Sequence, residues 1–184
     1  MAPARSRAST TPATAGSRQT RACGTEPPAP LTHTPDYEFS RFTLRSFDIN
    51  GNILSVMKGE KAQHFQDTLN TLVESPEVWI FSDKRLTEAR AKQALTNEDG
   101  SQVQLMGGAW VKRGDTRNGD KTEQISSDFL HYFSDTDTVV THLPVSIFRG
   151  PDRFFADSLR ADNLNQVLYL NGRVKVQMVP TPSP

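Results

Sequence analysis

Histidines and carboxylates are the side chains of this sequence with the most to offer chemistry. None of them stands in a pattern that performs any. His33, His64, His131 and His142 lack the H-E-x-x-H spacing of a zinc site, and no paired C-x-x-C accompanies them. His131 and His142 could face each other across a hairpin, which reads as two surface histidines rather than a metal site. Asp135-Thr136-Asp137 has the first residues of a calcium loop but neither its glycine nor its terminal glutamate, and so reads as a turn. Asp152, Asp157 and Asp162 could be imagined as the acid and base of glycoside hydrolysis, yet they fall in polar linkers or on outward positions with no aromatic platform nearby. There is no G-x-S-x-G elbow and no glycine-rich phosphate loop. Cys23 is the only cysteine, so no intrachain disulfide can form, and Arg21-Ala22-Cys23-Gly24 lacks the apolar run of a lipoprotein signal. The expectation is a protein without catalysis, metal or cofactor.

What the sequence does carry is a recurrence. Four times a small residue, at Ala62, Ala91, Ser127 and Ala156, is followed by polar sequence and a strand with one apolar face. A break marked by Pro or Gly follows, and then a second alternating strand. The second strands begin at Val78, Ala109, Val145 and Val174, spaced 31, 36 and 29 residues apart. Six residues before each stands another apolar position: Leu72, Val103, Val139 and Leu168. Units of this length bury their apolar faces by stacking on their neighbours. Within them every second side chain shares a face. Val103, Leu105, Ala109 and Val111 form one such stripe; Val139, Thr141, Val145 and Ile147 a second; Leu168, Leu170, Val174 and Val176 a third. Thr138 takes the opposite, outward parity.

Ahead of the repeats, Phe39, Phe42, Leu44 and Phe47 predict an opening strand with a slip of phase, a bulge, near Arg41. Asn50-Gly51 supplies hairpin chemistry. Ile53–Met57 and Gly59–Phe65 read as two further strands. Thr87–Leu95 contains good helix formers, but the repeat argues for strand. Polar turns are expected at 96–101, 134–137 and 162–165, and a longer polar loop at Gly114–Lys121.

Composition bounds the architecture. Apolar residues are 35% of 184 and the mean hydropathy is −0.55, so the core must be narrow. Residues 1–35 hold four arginines against Glu26, or +3, in a chain of net charge zero; the remainder therefore holds −3. Rich in Ala, Pro, Ser and Arg and without periodicity, they read as a disordered tail. No dense basic patch with interleaved aromatics is apparent along the sequence, which argues against nucleic acid as a partner. There is no signal-peptide apolar core, and no apolar run approaches the roughly 20 residues that span a bilayer.

The sequence from Tyr37 to Gly51, Y-E-F-S-R-F-T-L-R-S-F-D-I-N-G, resembles the opening of the LptC family of lipopolysaccharide export proteins. G-E-K-A-Q-H-F from Gly59 to Phe65 is similar to that family's next strand, and Leu72, Pro76, Val78 and Ile80 continue the likeness. L-N-G-R-V-K-V from Leu170 to Val176 resembles a closing motif shared with the related periplasmic bridge protein LptA. The likeness spans about residues 36–179. It implies an all-β protein: an open β-jelly roll, two facing antiparallel sheets in a twisted boat, built from the recurring strand units. The expected domains are a tail over 1–35, the jelly roll over 36–179 and a flexible end over 180–184.

Function follows as an expectation from the same resemblance. The domain would pass lipopolysaccharide from an inner-membrane ABC transporter to an LptA-like bridge at the periplasmic face of the inner membrane, without catalysis. The family begins with a transmembrane helix, where this sequence has its polar tail. Acyl chains would lie in an interior trough of Leu72, Val78, Ile80, Val103, Leu105, Val111, Val139, Val145, Ile147, Leu168, Leu170 and Val174. The transporter's own jelly roll would meet the N-terminal edge at Tyr37, Phe39, Phe42 and Leu44. The LptA-like protein would meet the C-terminal edge at Val167, Tyr169, Val174 and Val176. Unpaired sheet edges also favour self-association, so a homodimer is among the expected partners. The alternative is a scaffold with a closed core that joins partners only by edge-strand addition.

Overall fold

A computed structural model describes residues 33–82, 85–115 and 122–180. The expected tail, apart from residues 33–35, lies outside the described residues. So do most of the polar loop expected at Gly114–Lys121 and the end of the chain beyond Pro180.

Every regular element is a strand: β1 (Pro35–Phe47), β2 (Ile53–Phe65), β3 (Asn70–Glu74), β4 (Glu77–Ser82), β5 (Arg85–Arg90), β6 (Gln93–Thr96), β7 (Gln102–Asp115), β8 (Glu123–Phe133), β9 (Thr138–Thr141), β10 (Val145–Arg149), β11 (Asp152–Ala156), β12 (Ser158–Asp162), β13 (Val167–Asn171) and β14 (Lys175–Gln177). All pairings are antiparallel and join the fourteen strands into one continuous sheet. This sheet is folded over on itself. The second half of β2, from Lys61, pairs with β3, while its first half, Ser55–Lys58, pairs with β4. Likewise β7 pairs with β6 through Val103–Met106 and with β5 through Trp110–Asp115. β8 pairs with β9 at one end and β10 at the other. A first sheet therefore runs β1-β2-β3-β6-β7-β8-β9-β12-β13 and a second β1-β2-β4-β5-β7-β8-β10-β11-β14, nine strands each, facing one another as a β-jelly roll.

The repeat in the sequence is the chain's passage over the crease between them. Leu72, Val103, Val139 and Leu168 lie in the first sheet. The positions six residues later lie beyond the crease, three of them in strands of the second sheet. The breaks do the folding. Ser75 takes a left-handed φ of 50° before the buried Pro76. Gly107 and Gly108 take φ of 78° and 65°, and the β7–β8 register slips between Met106 and Ala109. Glycine adopts that region without steric penalty. The small residues mark the return crossings: Ala62, Ser127 and Ala156 are buried there.

Three expectations change. Ile53–Met57 and Gly59–Phe65 are not separate strands but the single β2, creased at Gly59-Glu60. No bulge interrupts β1 near Arg41, because its register with β2 is unbroken from Tyr37 to Ser46. The slip of phase there comes from the left-handed φ of Arg41, 49°, which turns the strand over as β2 turns beside it. Thr87–Leu95 forms β5 and β6 around Ala91, as the repeat argues.

Candidate functional site

Register defines the inner face. In the first sheet one inward row runs Phe39, Ala62, Val73, Ala94, Leu105 and Leu130, and Leu159 and Leu170 continue it beyond β9. A parallel row carries Val103, Tyr132, Val139, Ala161 and Leu168. In the second sheet Leu44, Met57, Val78, Ala89, Val111, Ile125, Ile147, Phe154 and Val176 cross all nine strands. Fully burying an aliphatic or Phe side chain contributes roughly 1.5–3 kcal/mol, so these rows hold the two sheets together.

Burial along the rows is uneven, and this is the main feature of the site. At mid-molecule the sheets touch: Leu130 and Ile147 are each 1% exposed. Toward β1 they part. Leu44 and Ile80 occupy inward positions, yet are 54% and 43% exposed. The interior is thus a packed core that opens toward its edges, into an apolar mouth at the N-terminal end and again at inward Val176, 49% exposed, at the C-terminal end. Opposite the crease an ion pair ties the free margins: Arg113 on β7 reaches Asp137, in the turn after β8, at 3.6 Å. Asn163 donates to the same carboxylate at 2.9 Å. Burial and the nearby Asp137 push the Tyr132 hydroxyl above its ordinary pKa.

Most of the expected trough residues meet in this interior: Val103, Leu105, Val111, Val139, Val145, Ile147, Leu168 and Leu170 in its packed part, Val78 half-buried on the inward row and Ile80 at the mouth. Leu72 does not. It pairs with Gln63 and Leu95 on the outer face, while its neighbour Val73, 1% exposed, points in between Ala62 and Ala94. Ser75 turns the chain over between β3 and β4, so the phase of Val78 cannot be carried back to Leu72. Thr138 is not a solvent-facing position; it is buried, its hydroxyl donating to the Thr136 carbonyl at 3.1 Å. Val73, Leu130, Ile125 and Leu159 were missing from the expected interior. Polar neighbours on both sides mark Ile125 and Leu159, whereas Val73 and Leu130 each follow a large apolar residue, Leu72 and Phe129, and carry no such signal.

Both ends of the molecule are unpaired edges. Among the described residues β1 pairs only with β2, β13 only with β12 and β14 only with β11. Tyr37, Phe39, Leu44, Val167, Tyr169 and Val176 lie on these strands and are exposed. Phe42 differs in being part-buried, its ring packed over Gly59 against the core. Val174 lies on no strand: it sits in the bend between β13 and β14, its N–H donating to the Gly172 carbonyl at 2.8 Å. At the N-terminal edge His64 bonds Asp36 at 2.7 Å and stacks on Tyr37, while His33 bonds Asp67 at 2.9 Å and stacks on Phe65. Those hydrogen bonds hold the Asp36 and Asp67 carboxyls below their ordinary pKa. At the C-terminal edge Arg173 grips Asp157 and lowers its pKa in the same way.

The residues screened for chemistry are occupied otherwise. His131 and His142 flank Phe129 at 6.3 and 5.0 Å rather than facing each other. Asp162 closes its own turn through Asn165, and Asp152 accepts the Val179 N–H. Among the described residues no three His, Cys, Asp or Glu side chains gather as a metal site. Nor, among them, is any helix long and apolar enough to cross a membrane.

Comparison with known proteins matches residues 13–179 to the family described as lipopolysaccharide-assembly, LptC-related. No curated protein sequence matches. Among solved structures the fold is similar to the crystal structure of LptH from Pseudomonas aeruginosa, the LptA-homologous periplasmic component of the lipopolysaccharide transport device. That match has 14% sequence identity and a TM-score of 0.54, covering 70% of this chain and 95% of the other. With the family matched over most of its length and the jelly roll formed, the chain belongs to the LptC-related family and has a role in lipopolysaccharide transport.

Proposed function

We propose that the domain passes lipopolysaccharide along by taking its acyl chains into the apolar mouth between the two sheets, with β1 and the β13–β14 end as its two docking edges. The observation that carries this reading is the exposure of the inward side chains Leu44 and Ile80. Apolar positions on the core side of both strands remain open to a ligand. Each methylene an acyl chain buries there contributes about 0.8 kcal/mol. Aliphatic contacts without fixed polar anchors hold lipid yet let it move on. The edges suit strand addition, since the N–H and C=O groups on their free sides have no strand partner among the described residues. On the family's pattern β1 would meet the jelly roll of an inner-membrane ABC transporter, and β13–β14 an LptA-like bridge in the periplasm. A homodimer through either edge uses the same groups.

Ile80 and Phe81 provide the test. They are neighbours on β4, 43% and 41% exposed, and point to opposite faces. A photo-crosslinking residue at Ile80 is expected to capture lipopolysaccharide and one at Phe81 is not. Equal capture at both, or none at Ile80, refutes passage through the mouth. The packed middle of the core favours a second reading, a scaffold that works through its edges alone. On that reading the Ile80 probe stays silent while deletion of Lys175–Pro184 still removes binding of an LptA-like partner.

A further inference from the structure

The outer face of the second sheet gathers cations and aromatic rings. Its two outward rows, fixed by register, carry the exposed cations Arg45, Lys58, Arg90, Lys112, Arg153 and Lys175. Against these six stand two acids, Glu77 and Glu88, a balance of +4 where the sequence beyond residue 35 totals −3. Four half-buried aromatics interleave with them: Trp79, Trp110, Phe148 and Phe155. Three of the cations lie over these rings, Lys58 over Trp79 at 5.3 Å, Arg90 over Trp110 at 5.7 Å and Arg153 over Phe148 at 5.8 Å. Beside Trp110 a hollow of about 320 Å³ is floored by Ser126 and Ser146, with Asp128 at its rim.

We propose that this face docks on an anionic phospholipid bilayer. A single small anion calls for cations that converge, and these are spread over nine strands, roughly 38 Å at the usual strand spacing. A plane of phosphodiester headgroups has the matching breadth and the opposite charge. Indole rings that are part-buried and part-exposed belong at the boundary between acyl chains and headgroups. Rings held beneath a Lys or Arg place apolar and cationic groups at the same depth, as that boundary requires. The face is on the far side of the second sheet from the lipid mouth, so the two can act independently.

Trp79 and Trp110 are the only tryptophans in the chain, so intrinsic fluorescence reports on this face alone. The full chain is titrated at about 150 mM salt with vesicles of phosphatidylcholine, and with vesicles containing 30% phosphatidylglycerol, each with and without brominated acyl chains. The expected result is a blue shift and bromine quenching with the anionic vesicles only. Each basic residue near the surface adds roughly fivefold in affinity. Lys58→Gln/Lys112→Gln/Arg153→Gln should therefore weaken the titration on the order of a hundredfold at an unchanged melting temperature. Three results would overturn the proposal. One is an equal response to neutral vesicles. Another is vesicle binding with unquenched tryptophans, which would put the contact on the four arginines before residue 35. The third is the same spectral shift with inorganic phosphate alone, which would make this a small-anion site. Phe81 lies on the docking face, so the crosslinking at Ile80 and Phe81 is run without vesicles and in high salt. The salt screens anionic lipid from that face, and either proposal can then fail while the other stands.

Discussion

The ring of Phe42 occupies the space that a side chain on Gly59 would need. A Cβ at Gly59 would lie 2.7 Å from Cε1 of Phe42 and 2.9 Å from Cγ1 of Val73. The crease of β2 is thus also the seat on which the edge strand rests. Gly59→Ala should displace Phe42 and destabilise the domain by about 1–3 kcal/mol, the usual cost of an extra methyl in a packed site. Thermal unfolding measures the loss, and faster amide exchange confined to β1 would show where it falls.

The tie between Arg113 and Asp137 is the one ion pair among the described residues that spans the free margins of the sheets. Both side chains keep about a quarter of their surface in solvent, so the pair should be worth less than about 1 kcal/mol and weaken with salt. Its effect is expected in opening rather than in stability. Arg113→Gln should raise amide exchange at the margin ends of β7 and β8 severalfold, leave the crease unchanged, and lose its effect in high salt.

His131 lies among Phe129 and Phe133 with its Nε2 buried and unpartnered, and desolvation depresses its pKa below the ordinary 6.5. A histidine whose pKa is lower folded than unfolded binds its proton more readily in the unfolded chain. Stability is then full above pH 6.5 and falls as the pH drops through that value toward the folded pKa. Melting temperatures from pH 7.5 to 5 should show this slope in the native protein and a shallower one in His131→Gln. Equal slopes would mean the ring titrates as if in water.

Asp157 works in the opposite range. Its carboxylate accepts from the Arg173 backbone N–H and guanidinium, and the folded pKa is lowered. What it contributes is present above the ordinary carboxylate pKa of 3.8 and disappears as the pH falls through the lowered value. Asp157→Asn should free Lys175–Gln177 at neutral pH, with NMR amide signals of β14 broadening while those of β10 stay sharp.

Much of this architecture is legible in the residues. Alternation locates most of the strands, and Pro, Gly and the small residues mark the crossings, because most passes one way over the crease use left-handed backbone and the return passes use short side chains. Faces are harder. A period of two fixes which way a side chain points only within an uninterrupted strand. Ser75 and Arg41 each turn the chain over, and neither residue type announces a positive φ. That is why Leu72 falls outside and Val73 inside, and why Phe42 packs against the core rather than standing exposed at the edge. Thr138 is hidden for another reason, the close pack of the Asp137 turn against Asn163. The open mouth has no local signature at all, since it depends on how far two sheets splay.

The strand order is strictly that of the chain, with no strand inserted between earlier neighbours. Such a slab can be lengthened without being redesigned. A further copy, or a relative, placed on either free edge would add about nine strands, roughly 43 Å, while preserving the cross-section of two facing sheets. Length becomes a matter of stoichiometry: the same cross-section could serve a short relay or a filament, depending only on what caps the last strand.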